Sequence, residues 1–201
     1  MRRLVLFGLA LTVLAGLAGV ALWVSSGSGG VQAPGWYART MYPLEYESAI
    51  RTSARRNDLD PALVAAVIYA ESRFDAQAVS PQGAVGLMQV LPETAAQIAR
   101  ETGGVAFVAE DLADPRVNIR YGTYFLRAVL DQFHGDRIAA IAAYNAGAGP
   151  VGEWEAAARA QGHPLRAADI PYAETRAYVR SVLEARRIYR RSYGERLRRA
   201  S

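Results

Sequence analysis

The chain opens on a continuous apolar run and then changes period. Residues 4–24 are apolar apart from Thr12. At about 1.5 Å per helical residue they can cross a hydrocarbon core of roughly 30 Å. Arg2 and Arg3 precede the run, and positive charge stays on the cytoplasmic side, so everything after Val24 is expected outside. The run is long for the apolar core of a signal peptide and reads as an uncleaved transmembrane anchor. A cleaved signal peptide is the alternative, because residues 25–30 are small and polar. Residues 25–36 are rich in Ser, Gly and Pro and read as a flexible linker.

Beyond the linker the apolar spacing is helical. Residues 42–56 predict a first helix. Asp60-Pro61 supplies an N-cap followed by a first-turn proline, predicting a second helix from Pro61 to about Ser72. Residues 80–91 are punctuated by glycine and read as loop, while residues 92–100 resume a helical pattern before Gly103 and Gly104. Asp114-Pro115 repeats the start signal, and Val117, Tyr121, Tyr124, Phe125, Ala128 and Val129 recur at the spacing of a buried helix face. Asp136 can cap a helix over 137–144, which Gly147 and Gly149 are expected to break. Residues 173–193 predict a long, basic, amphipathic helix. No segment alternates as a strand, and there is no internal repeat. The expected fold is mainly α, with an anchor at 1–24, a linker at 25–36, a helical domain at 37–193 and a basic tail at 194–201.

Composition narrows the chemistry. A chain of 201 residues with 51% hydrophobic and 21% charged residues has room for one folded core. The absence of Cys excludes disulfides, thiolate zinc sites, a Cys nucleophile and a lipidated Cys. A net charge of +4, carried largely by Arg, favours anionic surfaces or polymers. The arginines at 186, 187, 190, 191, 196, 198 and 199 read as a solvated helix face and tail, with attraction to wall polyanions or lipid headgroups as the functional alternative. His134 and His163 stand alone beside glycines, and no Gly-rich stretch ends in the Gly-Lys-Ser/Thr of a phosphate loop. No metal, cofactor or nucleic acid is expected.

Glu71 is the most informative position. On a helix starting at Pro61 it follows Val64, Val67 and Ile68 by seven, four and three residues, which puts its carboxylate on their apolar face at the negative end of the helix. Burial and the helix dipole both disfavour ionisation there, as a general acid requires. A Glu escaping to solvent at a fraying helix end is the plainer reading of position alone.

The surrounding motifs decide between these readings. Residues 70–74 (AESRF), 78–90 (AVSPQGAVGLMQV), 92–95 (PETA) and 143–147 (AYNAG) occur in that order, followed by Ile170-Pro171 and by Glu174, Thr175, Arg176, Tyr178 and Val179. With Asn118, Ile119 and Gly122 between them, these blocks resemble the catalytic domain of the soluble-lytic-transglycosylase family from about Tyr46 to Tyr189. The resemblance implies a lysozyme-like helical fold with Glu71 as the catalytic residue. It also implies Ser80, Gln89, Tyr144, Asn145 and Glu174 as substrate-binding residues, and glycan strands of peptidoglycan as the partner outside the cytoplasm. Glycines 83, 86, 147 and 149 then suit turns and close approach of backbone to sugar, and the aromatics from Tyr121 to Phe125 read as core, with sugar-stacking platforms as the alternative. Ala76 stands where the family commonly has Pro, and Leu91 where it often has Met, so subsite preference departs from the pattern at these positions.

The chemistry of such a site follows from its carboxylate count. Ordinary glycosidases use two carboxylates. Asp75 lies beyond the helix end and reads as a turn residue, leaving Glu71 alone. The substrate then has to supply its own nucleophile. The C6 hydroxyl of N-acetylmuramic acid can attack C1 to give a 1,6-anhydro end, with Glu71 acting first as acid and then as base. Tyr144 would position or polarise groups near the carboxylate, and Ser80 would bond the N-acetyl carbonyl. Two alternatives stay open: a muramidase on the same fold in which water attacks, and an inactive, membrane-tethered peptidoglycan-binding module. Service in general wall turnover or in a wall-spanning machine is equally open.

Overall fold

The computed structural model describes residues 35–103 and 108–198. The apolar run at 4–24 lies outside them, and among the described residues no helix is long and apolar enough to cross a membrane. The helices are α1 (Gly35–Met41), α2 (Glu47–Arg56), α3 (Pro61–Ser72), α4 (Pro92–Glu101), α5 (Pro115–Gln132), α6 (Arg137–Ala146), α7 (Ala148–Ala160) and α8 (Ala173–Arg198), with short 3-10 turns at Ala109–Ala113 and Ala167–Asp169. The described residues are mainly helical, as the spacing of apolar residues requires.

Three starts follow the Asp signals. Asp60 accepts the Ala62 N–H, Asp114 accepts those of Arg116 and Val117, and Asp136 accepts those of Ile138 and Ala139. Each bond satisfies an orphan helix donor, a contribution of about 1 kcal/mol. Asp60 also pairs with Arg186 at 2.6 Å, fastening the start of α3 to α8.

α3 is the centre of the domain. Every residue from Ala62 to Tyr69 is buried, so the one-sided apolar stripe expected around Glu71 is replaced by burial on all sides. A helix apolar all round has to be enclosed, and α8 and α2 enclose it. α8 lies along it through Val179, Val182, Ala185 and Tyr189.

Three boundaries differ from expectation. The first domain helix begins at Glu47 rather than Tyr42, because Pro43 disfavours helical geometry at Tyr42 and Tyr46 adopts φ 51°. The carbonyls of Tyr42 and Pro43 instead accept the hydroxyls of Tyr193 and Tyr189. Gly147 does end α6, at φ 82°, but Gly149 sits inside a new helix, α7, that the sequence reading missed. Pro150 is its third residue, where the missing N–H would have had no intrahelical partner. α8 continues past Tyr193 to Arg198, so the expected basic tail begins as helix. Tyr189, Tyr193 and Leu197 recur every four residues and are all buried, an apolar period hidden among arginines.

Candidate active site

The end of α3 is shaped for exposure of one side chain. Arg73 and Phe74 follow Ser72 with φ of 55° and 68°, a left-handed pair that costs of order 1 kcal/mol or more per residue. Burial of Phe74 against Tyr189 and stacking of the Arg73 guanidinium 4.0 Å over the Tyr69 ring offset that cost. The chain therefore turns away directly after Glu71, leaving the carboxyl at a groove. Ser72, its neighbour in the motif, points inward and donates to the carbonyls of Ile68 and Leu87. That bond ties the 80–91 loop to the helix end.

The loop itself is held from three sides. Isolated bridges join Val79 to Val85 and Val85 to Val90, in place of regular strand or free coil. Fully buried Asn118 on α5 donates to the carbonyls of Val85 and Leu112 and accepts the Met88 N–H at 2.8 Å. Gly86 and Gly122 make this approach possible. A Cβ on Gly86 would lie 2.4 Å from Asn118 Nδ2, and one on Gly122 would lie 2.6 Å from Met88. Gly86 thus serves contact with Asn118 rather than the close approach to sugar expected for it.

Glu71, Ser80, Gln89, Tyr144, Asn145 and Glu174 all line one open groove of about 560 Å³. Their settings differ. Burial raises the Glu71 carboxyl from 4.5 to about 7, and this outweighs the opposing hydrogen bond from Tyr178. The Tyr178 hydroxyl donates to Glu71 Oε1 at 2.5 Å. Its own ionisation is pushed well up by burial and by the nearby Glu71 charge, so it remains a donor. Tyr144 does not bond Glu71. Its hydroxyl donates to the Met88 carbonyl at 2.8 Å, and burial, then the Glu71 charge, keep it neutral. Gln89, at φ 47°, lines the groove and spends its amide hydrogens on the carbonyls of Ala78 and Gly86, so its side-chain carbonyl oxygen is the acceptor it has to offer. Ser80 Oγ accepts the Ala84 N–H at 3.1 Å and can still donate. Asn145, near the end of α6, and Glu174, in the first turn of α8, are exposed. Asp75 closes a turn by accepting the Gln77 N–H. Among the described residues, no three His, Cys, Asp or Glu side chains gather to hold a metal.

One residue bonded to Glu71, Tyr178, and one that lines the groove, Phe125, were not named as site residues from sequence. Tyr178 had a readable signal, since it lies four residues after Glu174 on the same helix and therefore on the same face. Phe125 was assigned to the core face of α5, but it also lines the groove, with its ring centroid 5.2 Å from that of Tyr144.

A buried acid at the end of a central helix, facing an open polar groove in a helical domain, defines a lysozyme-like protein. The match to known families agrees: residues 48–165 correspond to the transglycosylase SLT domain, and the chain belongs to that family. It is 35% identical over 157 residues to the soluble lytic murein transglycosylase of Salmonella typhimurium, covering 77% of this chain and 24% of that protein. The 70 kDa soluble lytic transglycosylase of Escherichia coli superposes with a TM-score of 0.72 at 33% identity, over 78% of this chain and 26% of that one. An inactive Glu-to-Gln mutant of the lytic transglycosylase Slt of Pseudomonas aeruginosa superposes with a TM-score of 0.69 at 34% identity, over 76% and 25%. The chain thus spans about a quarter of the length of these relatives.

Proposed function

We propose that this protein is a peptidoglycan lytic transglycosylase that cleaves the β-1,4 bond between N-acetylmuramic acid and N-acetylglucosamine and leaves a 1,6-anhydro end. The observation that carries the reading is the Glu71 carboxyl, raised to about 7 by burial and facing the groove. At neutral pH a substantial fraction of it holds a proton for the leaving glycosidic oxygen. After bond cleavage the carboxylate, steadied by Tyr178, accepts the proton of the C6 hydroxyl as that oxygen closes on C1. The proton taken from the C6 hydroxyl replaces the one given to the leaving sugar, so a single carboxylate suffices and no water is consumed.

The remaining groove residues bind. The Ser80 hydroxyl donates to the N-acetyl carbonyl of the sugar being cleaved, and the Gln89 carbonyl, Asn145 and Glu174 hold hydroxyl and amide groups along the strand. Tyr144 holds the loop carrying Gln89 and presents its ring with Phe125 to the groove. The likeness to an inactive Glu-to-Gln mutant of a related enzyme supports a Glu-dependent reaction. Digestion of purified sacculi by the full chain, read by mass spectrometry, tests the reaction: anhydro ends are expected. Reducing ends would assign a muramidase, and absence of cleavage a binding module.

We also propose that residues 4–24 anchor the chain as a single membrane span, with residues 37–193 acting on the wall from the extracytoplasmic side. The uninterrupted apolar run after Arg2 and Arg3 supports this. Retention of full-length protein in membranes through alkaline washing is expected. A soluble product beginning near residues 25–32 would identify a cleaved signal peptide.

A further inference from the structure

Tyr172 is an exposed aromatic side chain, at 55%. Its place is fixed by its neighbours. The Tyr172 carbonyl accepts the Arg176 N–H at 2.9 Å as the first turn of α8 forms. The Arg176 guanidinium donates to the carbonyls of Ile170 and Pro171, and Ile170 is fully buried. The Tyr172 ring meets Trp154 of α7 in a T-shaped contact, with centroids 5.0 Å apart at 76°. Trp154 in turn packs on the hydrophobic core. A single T-shaped contact leaves at least one face of the Tyr172 ring open.

The two rings stand on the elements that bound the groove. Glu174, which lines it, is two residues from Tyr172, a span of at most about 7 Å. Gly147, also in the lining, lies two helical turns before Trp154 on α7, about 10 Å along the axis. Neither ring lines the groove itself, so the pair stands outside it, a short chain distance from Glu174. The Trp154 contact and the Arg176 bonds hold the ring in place at the surface. A pyranose ring presents a face of weakly positive C–H hydrogens, which is complementary to the negative face of an aromatic ring.

We propose that Tyr172, backed by Trp154, is a sugar-stacking platform that extends the groove past Glu174 and carries a further hexose of the bound strand. The proposal rests on the reading of the groove as a glycan site. Rigidity is what makes the platform effective, because the backbone clamp by Arg176 and the Trp154 contact remove the ordering cost of the ring before the sugar arrives.

The test is the dependence of affinity on chain length, using the full-length protein in detergent with Glu71→Gln to prevent turnover. N-acetylglucosamine oligomers from dimer to octamer are titrated by calorimetry. Affinity is expected to step up once an oligomer reaches beyond Glu174, and Tyr172→Ala is expected to remove that step, weakening long oligomers roughly three- to tenfold while leaving short ones unchanged. Tyr172→Phe keeps the ring face and should keep the step. A binding-induced change in tryptophan emission that appears only with long oligomers, and disappears in Trp154→Phe, is expected alongside. A step that survives Tyr172→Ala, or an equal loss at every length, overturns the platform while leaving the glycan groove intact. Failure of every oligomer to bind would overturn the groove reading and the platform with it.

Discussion

The hydroxyl of Tyr178 donates to Oε1 of Glu71 at 2.5 Å, joining the end of α3 to the first turns of α8 across 107 residues of sequence. The bond favours the ionised carboxyl while burial disfavours it, and burial is the larger effect. Tyr178→Phe keeps the ring and removes only the donor. The Glu71 pKa should then rise further, moving the alkaline limb of the kcat/KM profile to higher pH. Loss of carboxylate orientation should lower kcat by up to about 100-fold. A pH profile of the variant on glycan strands checks both, and an unmoved limb would refute the role assigned to this bond.

Glu71→Gln should abolish cleavage, by at least about 10²-fold, and yet stabilise the domain at neutral pH. The folded carboxyl sits near 7 and its reference value is 4.5. Between those values the folded state retains a proton that the unfolded chain has released. The parent therefore loses stability as pH rises across that window, and the loss is complete above 7. Gln escapes it. The advantage of the variant should be absent below about pH 4.5 and grow to at most about 3 kcal/mol above pH 7, or several degrees in Tm. Thermal melts of both proteins across this range decide it. A Gln variant less stable than the parent at pH 7.5 would mean that Glu71 is held as a bonded carboxylate.

Tyr144→Phe should behave differently from Tyr178→Phe. Its hydroxyl holds the Met88 carbonyl rather than Glu71, and an orphaned carbonyl at that depth costs about 1–3 kcal/mol. Urea denaturation should show this loss with the alkaline limb of activity in place. A shift of the limb with unchanged stability would transfer the role of Tyr178 to Tyr144.

Asn118→Ala should be the most damaging of these substitutions to the fold, because it removes the partner of three backbone groups at once. A loss above about 3 kcal/mol is expected. Gly86→Ala should be destabilising for two reasons, a φ of 75° and a Cβ driven into Asn118. Denaturation midpoints for both variants test the loop-to-α5 contact, and a loss below about 1 kcal/mol in Asn118→Ala would show that the loop holds without it.

Much of the scaffold was legible because its signals act within a turn or two. Asp60, Asp114 and Asp136 cap the helices they precede, since a short acidic side chain reaches only the next N–H groups. The apolar spacing marked the buried face of α5 only in part: Tyr121 and Val129 are buried, but Ala128 is exposed, and Ile119, Leu126 and Leu130 form the rest of the core side. Where two local signals competed, the reading failed. Glycine and proline at 149 and 150 resemble a turn, but they occupy the first turn of α7, where a missing N–H costs nothing. The arginines of α8 obscured the four-residue period of Tyr189, Tyr193 and Leu197 that carries the helix to Arg198.

The sequence by itself determined the helical class, the caps, the family resemblance and the place of Glu71 at the end of a buried helix. These depend on residues near one another in the chain. Only the tertiary structure decided what surrounds that carboxyl. Packing α8 along α3 brings the hydroxyl of Tyr178, rather than that of Tyr144, into a hydrogen bond with Glu71, encloses α3 on every side so that burial raises the acid, and sets Asn118 under the loop that carries Gln89. A pKa and a hydrogen-bond partner are set by desolvation and by distances of a few ångströms between groups far apart in sequence, and neither exists until the helices have packed.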